Sequence, residues 1–248
     1  MKPGNQIDIS VIEAGEATPA RHAISKMSEE NLLPPRVLEQ RRLIHASMDD
    51  PEQVDRVRDL RTNILTRSVN HNRVIMVTGV DYHSGASSLA RNLAASIALD
   101  EERTALLIEC DHRQPALAGD FHLPQGSPGL LDLFGSDMHD LGSVIYPSGV
   151  ERLRVIPAGR SGRRGMEFFA SIRMRALIKE LRCRYDDRYV VMDAPPALGS
   201  PDARILSEYA DPIILAVREG RHRPEVIRRA AAKLPPERFA GVAFSLQS

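Results

Sequence analysis

The sequence predicts an α/β fold: a doubly wound, mostly parallel sheet with helices on both faces. From residue 73 onwards, short and nearly continuous apolar runs alternate with helical stretches. Strands of that kind are buried on both faces, which is typical of a parallel sheet between two layers of helices. The length of 248 residues is enough for one such domain of about 200 residues and a tail.

Six apolar runs are predicted to be strands, namely residues 74–78, 105–108, 153–156, 189–192, 213–217 and 241–244. Five stretches are predicted to be helical, namely residues 87–99, 130–134, 167–185, 202–209 and 224–233. In sheets of this type, ligands bind at the carboxyl ends of the strands. The polar residues that directly follow each strand are therefore the candidates for a functional site.

The N-terminal part is predicted to be a separate unit. Residues 1–48 lack sustained periodicity and are expected to form a mobile tail, with a short helical piece after two prolines at 34–35. Residues 49–248 are expected to form the domain, which opens with a helix over residues 49–68. Asp50 is its predicted N-cap, and apolar residues then recur at spacings of three and four. These residues are Val54, Val57, Leu60 and Ile64.

Composition and hydropathy argue against several classes of function. The 33 basic and 33 acidic residues balance, whereas a nucleic-acid-binding protein shows a basic excess or stripe. No stretch has the apolar core of a signal peptide or the ~20 apolar residues of a membrane span. We therefore expect a cytoplasmic protein that reaches the inner face of the membrane only through a partner. The two cysteines, Cys110 and Cys183, have no metal-ligand spacing and are expected to be idle thiols.

The stretch GVDYHSGASS, residues 79–88, stands where a strand-to-helix turn holds phosphates. A phosphate loop reads G-x-x-x-x-G-K-[ST]: its glycines let backbone amides wrap the phosphates, its lysine reaches the β- and γ-phosphates, and its hydroxyl ligates Mg²⁺. Anchored on Gly85, the lysine position holds Ala86 and the hydroxyl position holds Ser87. The hydroxyl is kept and the lysine is not. By itself, this stretch is explained equally well by an ordinary strand–turn–helix connection.

Three carboxylates follow other predicted strands: Glu109 and Asp111 after the second, and Asp193 after the fourth. Such groups hold Mg²⁺ through water or accept a proton from a hydroxyl. Each one alone is more often a helix cap or a loop salt bridge. Their convergence beside Ser87 favours a nucleotide site, current or ancestral.

These motifs, in this order, resemble a known family. From Asp55 to the end, the sequence is similar to the cytoplasmic domains of bacterial tyrosine autokinases of exopolysaccharide and capsule synthesis, relatives of the partition and septum-site P-loop ATPases. DRVRDLRTNI resembles the family's E-x-x-R-x-x-R-T-N helix, LLIECDHRQP its L-L-I-D-A-D-x-R-x-P, and VVMDAPPALGSPDARIL its I-I-D-x-P-P-x-x-x-x-x-D-A-x-x-L. The resemblance implies a P-loop NTPase-like fold and self-association through Asp55, Arg58 and Arg61.

The resemblance also implies a place for Mg·ATP. The positions that match the family's nucleotide-binding residues are Gly85, Ala86, Ser87, Ser88 and Arg113. The metal would be held by Ser87, Asp111 and Asp193, with Asp111 also as the base in an active enzyme and Glu109 beside it.

The departures from the family fall on the chemistry. In the loop, Tyr82 replaces proline, His83 replaces glycine, Ser84 replaces glutamate and Ala86 replaces lysine. A histidine at the glycine position is expected to be strained, because loops of this kind use φ > 0 there. Glu109 replaces the first aspartate of the second motif.

Two further features bear on activity. The chain has lysine only at Lys2, Lys26, Lys179 and Lys233, none of them placed to substitute for the missing one. The family ends in a tyrosine cluster that a neighbouring subunit phosphorylates, whereas this sequence stops at GVAFSLQS. We therefore expect the usual acceptor tyrosines to be missing as well.

The leading hypothesis is a cytoplasmic, catalytically impaired kinase-like module that regulates polysaccharide synthesis and export. Its expected partners are a membrane copolymerase (a chain-length determinant) and other copies of itself or a complete kinase, with Mg·ATP doubtful as cofactor. The alternative is an active tyrosine kinase or ATPase switch in which Arg91 or Arg113 stands in for the lysine. A partition-type ATPase acting on DNA or membrane is a third hypothesis, disfavoured by the neutral net charge.

Overall fold

The computed structural model describes residues 32–48, 50–67, 74–134, 140–160, 165–183 and 187–245. The strands of the sheet are β1 (Val74–Gly79), β2 (Thr104–Glu109), β3 (Tyr146–Pro147), β4 (Leu153–Ile156), β5 (Arg188–Asp193), β6 (Ile213–Arg218) and β7 (Phe239–Ser245). Their order across the sheet is β3-β4-β2-β5-β1-β6-β7, and every neighbouring pair is parallel except β3 with β4. The predicted doubly wound, mostly parallel sheet is confirmed.

All six predicted strands are present, each within two residues of its expected ends. The helices are α1 (Pro35–Gln40), α2 (Pro51–Arg67), α3 (Ala86–Ala98), α4 (Leu117–Asp120), α5 (Gly165–Phe169), α6 (Ile172–Cys183), α7 (Asp202–Ser207) and α8 (Pro224–Ala231). The segment 130–134 is a 3₁₀ helix, and the long helix expected over residues 167–185 is instead the pair α5 and α6. Within the described ranges, none of the helices is long and apolar enough to cross a membrane.

Helices cover both faces of the sheet, so that β1, β2, β5 and β6 are buried almost throughout. Apolar residues of α5, α6 and α7 pack on one face, and those of α1, α2 and α3 pack on the other. The two layers fix the ends of the central strands, and these ends carry the candidate site.

Helix α2 begins and packs as predicted. The Asp50 side chain accepts a hydrogen bond from the Gln53 amide at 3.1 Å, as an N-cap does. On the face of the helix that meets α3, Val54 and Ile64 are buried, and Val57 and Leu60 are partly buried. The apolar stripe read from the sequence is therefore the surface that holds α2 on the domain.

The predicted tail needs a correction over residues 32–48. Leu43 and Ile44 are buried in the core under α3. The Ile44 amide donates to the Asn92 side chain at 2.9 Å, and Asn92 in turn donates to the Arg42 carbonyl at 3.0 Å. This segment is thus part of the domain rather than a tail, and residues 1–31 lie outside the described residues.

Candidate functional site

Three neighbouring strands bring the predicted carboxylates together. In the order β2-β5-β1, Glu109 is the register partner of Asp193, and Val77 pairs with Asp193 from the other side. The loop after β1 leads directly into α3, and Asp111 follows β2. The convergence at one sheet edge that the strand ends predicted is confirmed.

The stem of the loop is fixed by the turn that follows β5. The Ala197 amide donates to the Gly79 carbonyl at 2.8 Å, and the Leu198 amide donates to the Val80 carbonyl at 3.2 Å. In addition, the Thr78 hydroxyl donates to the Pro195 carbonyl at 2.7 Å. The turn after β5, residues 193–199, therefore holds the stem of the loop in place through hydrogen bonds.

Two residues of the loop have left-handed backbone. Gly85 has φ +84°, and a Cβ built on it would lie 2.6 Å from the Ser245 hydroxyl at the end of β7. His83 has φ +70°, a conformation that costs a non-glycine residue roughly 1–2 kcal/mol. The strain expected at position 83 is confirmed. The loop therefore has left-handed backbone at two positions, one of which holds a residue type that does not favour it.

The middle of the loop is closed by hydrogen bonds between Asp81 and Ser84. The Ser84 hydroxyl donates to the Asp81 carboxylate at 2.9 Å and accepts from the Asp81 amide at 3.0 Å. Arg221 and His222, from the loop after β6, lie 3.4 and 3.3 Å from the two carboxylate oxygens of Asp81. Burial raises the pKa of Asp81, but the Ser84 hydrogen bond and these two side chains outweigh it, so the pKa is lowered. Arg221 and His222 were missed from the sequence, although they follow a predicted strand end.

Ser87 and Asp193 form the polar centre of the site. Asp193 is 3% exposed, and its Oδ1 atom has no hydrogen-bond partner among the described residues. Burial, with help from Glu109 and Asp111, raises the pKa of Asp193 to about 7, while a hydrogen bond from Ser87 opposes the rise. A buried carboxylate oxygen without a partner is costly. The arrangement favours a cation or donor supplied by a ligand.

Glu109 is occupied by the backbone. One of its carboxylate oxygens accepts from the amides of Ala116 and Leu117 at 2.6 and 2.7 Å, and the other accepts from the Ala158 amide at 2.9 Å. Burial raises the pKa of Glu109, and these three hydrogen bonds oppose the rise. Its part in catalysis stays a prediction, whereas its contacts are those of a side chain that ties β2 to the start of α4 and the end of β4.

Asp111 lies at the mouth of the site. One of its carboxylate oxygens accepts from the Arg113 and Gln114 amides at 3.1 and 3.3 Å. The Arg113 guanidinium reaches across to the Gly199 carbonyl at 3.5 Å. Arg91, the other cation considered as a substitute for the lysine, is ion-paired with Asp120.

The residues predicted to mediate self-association have different surroundings. Asp55 and Arg58 are exposed and lie 3.9 Å apart, whereas Arg61 donates to the Ser96 carbonyl of α3 at 2.8 Å. Arg61 thus holds α2 on its own domain. Self-association through the three residues stays a prediction.

We expect Arg61→Ala to lower the free energy of unfolding by about 1–2 kcal/mol, because it removes a charged donor to a helix carbonyl and its packing. Arg58→Ala, the matched control on the same helix, should change it by less than about 0.5 kcal/mol because its ion pair is exposed. Urea unfolding measures both. Equal effects of the two variants would contradict the assignment of Arg61 to the fold.

Comparisons with known proteins agree with this geometry. The chain is 28% identical to the tyrosine-protein kinase CpsD of Streptococcus agalactiae over 185 residues, which are 74% of the chain and 78% of that protein. The tyrosine kinase domain of BceF is 31% identical, with a TM-score of 0.70 over 86% of this chain and 91% of that domain. The cell-division ATPase MinD of Pyrococcus furiosus shares the fold at 17% identity and a TM-score of 0.57, over 71% of each chain. No family model matches.

The side chains at the site fit a magnesium-bound nucleotide in part. The hydroxyl of Ser87 and the unpaired oxygen of Asp193 are the kind of donors that Mg²⁺ takes, together with waters and phosphate oxygens. In the described part of the chain, no three His, Cys, Asp or Glu side chains are grouped to hold a metal without a ligand. The site therefore offers two of the ligands that Mg²⁺ arriving with phosphates would need, and position 86 holds alanine in place of the lysine.

Proposed function

The chain belongs to the family of bacterial tyrosine kinases of capsule and exopolysaccharide pathways, and we propose that it is a catalytically impaired, kinase-like regulatory member. In this proposal it works in the cytoplasm, where a membrane polysaccharide copolymerase recruits it. It assembles with copies of itself or with a complete kinase and regulates synthesis or export through those contacts.

The observation that carries the proposal is Ala86, the first residue of α3. A charged hydrogen bond to phosphate contributes roughly 1.5–3 kcal/mol, and loss of a donor that stabilises transition-state charge costs about 10²–10³ in rate. Lys179 lies on α6, Lys233 follows α8, and Arg91 is held by Asp120. These placements support a loop that grips phosphate weakly and transfers it poorly.

The proposal is tested by transfer of labelled γ-phosphate. We expect the purified protein to label neither itself nor a tyrosine-containing peptide, under conditions in which a complete family kinase does. Ala86→Lys should raise the affinity for magnesium-bound nucleotide, measured with Mg·ADP, about tenfold or more, the equivalent of one charged hydrogen bond. Ala86→Met, similar in length but uncharged, is the matched control and should not. Transfer by the unaltered protein that Asp111→Ala abolishes would contradict the proposal.

A second candidate is an active ATP-binding kinase or ATPase switch of the same pathway. It is favoured by Asp193, whose buried oxygen has no partner among the described residues, and by the retained Ser87 and Asp111. Here Arg113 would replace the lysine. This candidate predicts Mg·ATP binding in the micromolar to low-millimolar range that Arg113→Ala weakens at least tenfold. Calorimetry without measurable heat at saturating Mg·ATP would exclude it.

A further inference from the structure

Tyr82 stands in the phosphate loop, three residues before Gly85. Its hydroxyl oxygen is buried, and the Arg113 side chain interacts with it. Its ring edge rests on the turn after β5, where a Cβ added to Gly199 would lie 3.3 Å from the Tyr82 ring. The side chain is therefore partly buried against this turn rather than out in solvent.

The phenol of Tyr82 lies among charged groups of the site. Arg113 spans the same turn through the Gly199 carbonyl. Burial and the carboxylates of Asp111 and Asp202 raise the pKa of Tyr82, and Arg113 opposes the rise. The hydroxyl is thus close to Asp111, the predicted base. In a phosphoryl-transfer site, the terminal phosphate and the attacking hydroxyl meet beside this carboxylate.

The other half of the loop leads into a helix. Helix α3 begins at Ala86 and is 13 residues long, and its N-cap Gly85 provides no side-chain cap. Helix N-termini of this kind bind phosphate through backbone amides and the helix dipole. The unpaired oxygen of Asp193 and the hydroxyl of Ser87 lie at the same end of the helix. This half of the loop therefore has the kinds of groups that cradle the α- and β-phosphates in phosphate loops.

We propose that the loop is a nucleoside diphosphate site in which the Tyr82 ring occupies the space of a third phosphate. Tyr82 is then the residue that determines specificity: it excludes nucleoside triphosphates and leaves room for Mg·ADP. The absence of a lysine at position 86 acts in the same direction, because that side chain normally reaches the β- and γ-phosphates. This inference rests on the proposed function, because a site that holds a nucleoside diphosphate has no γ-phosphate to transfer. The protein would then regulate through its nucleotide-bound form.

Calorimetric titration with Mg·ADP and with Mg·ATP tests the proposal. The unaltered protein should bind Mg·ADP at least about tenfold more tightly than Mg·ATP. Tyr82→Ala should bring the two affinities to within about threefold, by tightening the binding of Mg·ATP. Tyr82→Phe keeps the ring and should keep the preference for ADP. Tyr82→Ser opens the same space and replaces the alanine variant if that one does not fold.

Equal affinities in the unaltered protein, no binding of Mg·ADP, or an unchanged preference in the small-side-chain variants would each overturn the inference. These outcomes are distinct from failure of the proposed function. Phosphate transfer by the unaltered protein contradicts the proposed function. A wrong order of nucleotide affinities in a protein that transfers nothing contradicts the diphosphate site alone.

Discussion

Glu109→Ala should lower the free energy of unfolding by about 3–5 kcal/mol, although the residue follows a strand at the edge of the candidate site. The substitution leaves the amides of Ala116, Leu117 and Ala158 without their acceptor. An unsatisfied buried donor costs about 1–3 kcal/mol. Part of this cost is offset, because the ionised carboxylate is itself penalised by burial, as its raised pKa indicates.

Urea unfolding measures the effect, provided that the dependence of the unfolding free energy on urea concentration is the same for both proteins. Glu109→Gln is the matched variant. The amide side chain keeps one acceptor oxygen for some of the three donors but turns an NH₂ group toward the others, so its destabilisation should be intermediate. A change of less than about 1 kcal/mol for Glu109→Ala would show that the three hydrogen bonds contribute little. Glu109 would then be available for the catalytic part that its position after β2 predicted.

The central strands and the convergence of their ends could be predicted because both follow from a simple rule. Continuous apolar runs become parallel strands, and the residues after them meet at one edge. Strand β3 could not be predicted, since it has two residues, one of them a proline, and exists only through its antiparallel pairing with β4. Ile44 is buried in the core, and its amide donates to Asn92, 48 residues away, a contact that no local pattern reveals.

The chemistry of the site was less predictable than its place. In the sequence, Glu109 and Asp193 look alike, because each is a carboxylate at the end of a predicted strand. Their surroundings separate them, because Glu109 meets three amides while Asp193 Oδ1 meets none among the described residues. Likewise, the contact of Arg221 with Asp81 joins residues 140 positions apart. Such partners are set by how loops from different strands pack, and the sequence of one loop does not contain that information.

Asp193 should make the protein less stable as the pH rises from about 4 to about 7. The pKa of its side chain is raised from 3.8 to about 7 by burial, so over this interval the folded state binds more protons than the unfolded state. The stabilisation is fully present below the unfolded pKa and is lost as the pH passes the folded one. Each pH unit contributes at most about 1.4 kcal/mol, so we expect a total loss of about 2–4 kcal/mol.

Asp193→Asn removes this titration. At pH 8 the variant should be more stable than the unaltered protein by about 2–4 kcal/mol, and near pH 4 the advantage should vanish. Urea unfolding at pH 4.5, 6, 7 and 8 gives both curves, and taking their difference removes the contribution of the other carboxylates, apart from their coupling to Asp193. A difference that does not vary with pH would mean that Asp193 has an ordinary pKa in the folded protein.

The unaltered protein and Asp193→Asn also show whether Asp193 is a buried carboxylate without a ligand or part of a metal site. If Asp193 Oδ1 holds Mg²⁺ with a nucleotide, Mg·ADP should stabilise the unaltered protein at pH 8, because the ligand binds only the folded state. It should stabilise Asp193→Asn much less, since an amide oxygen carries no charge for the metal. Equal stabilisation of both would place the metal elsewhere, and the unpaired oxygen would then be a cost to the fold that no ligand relieves.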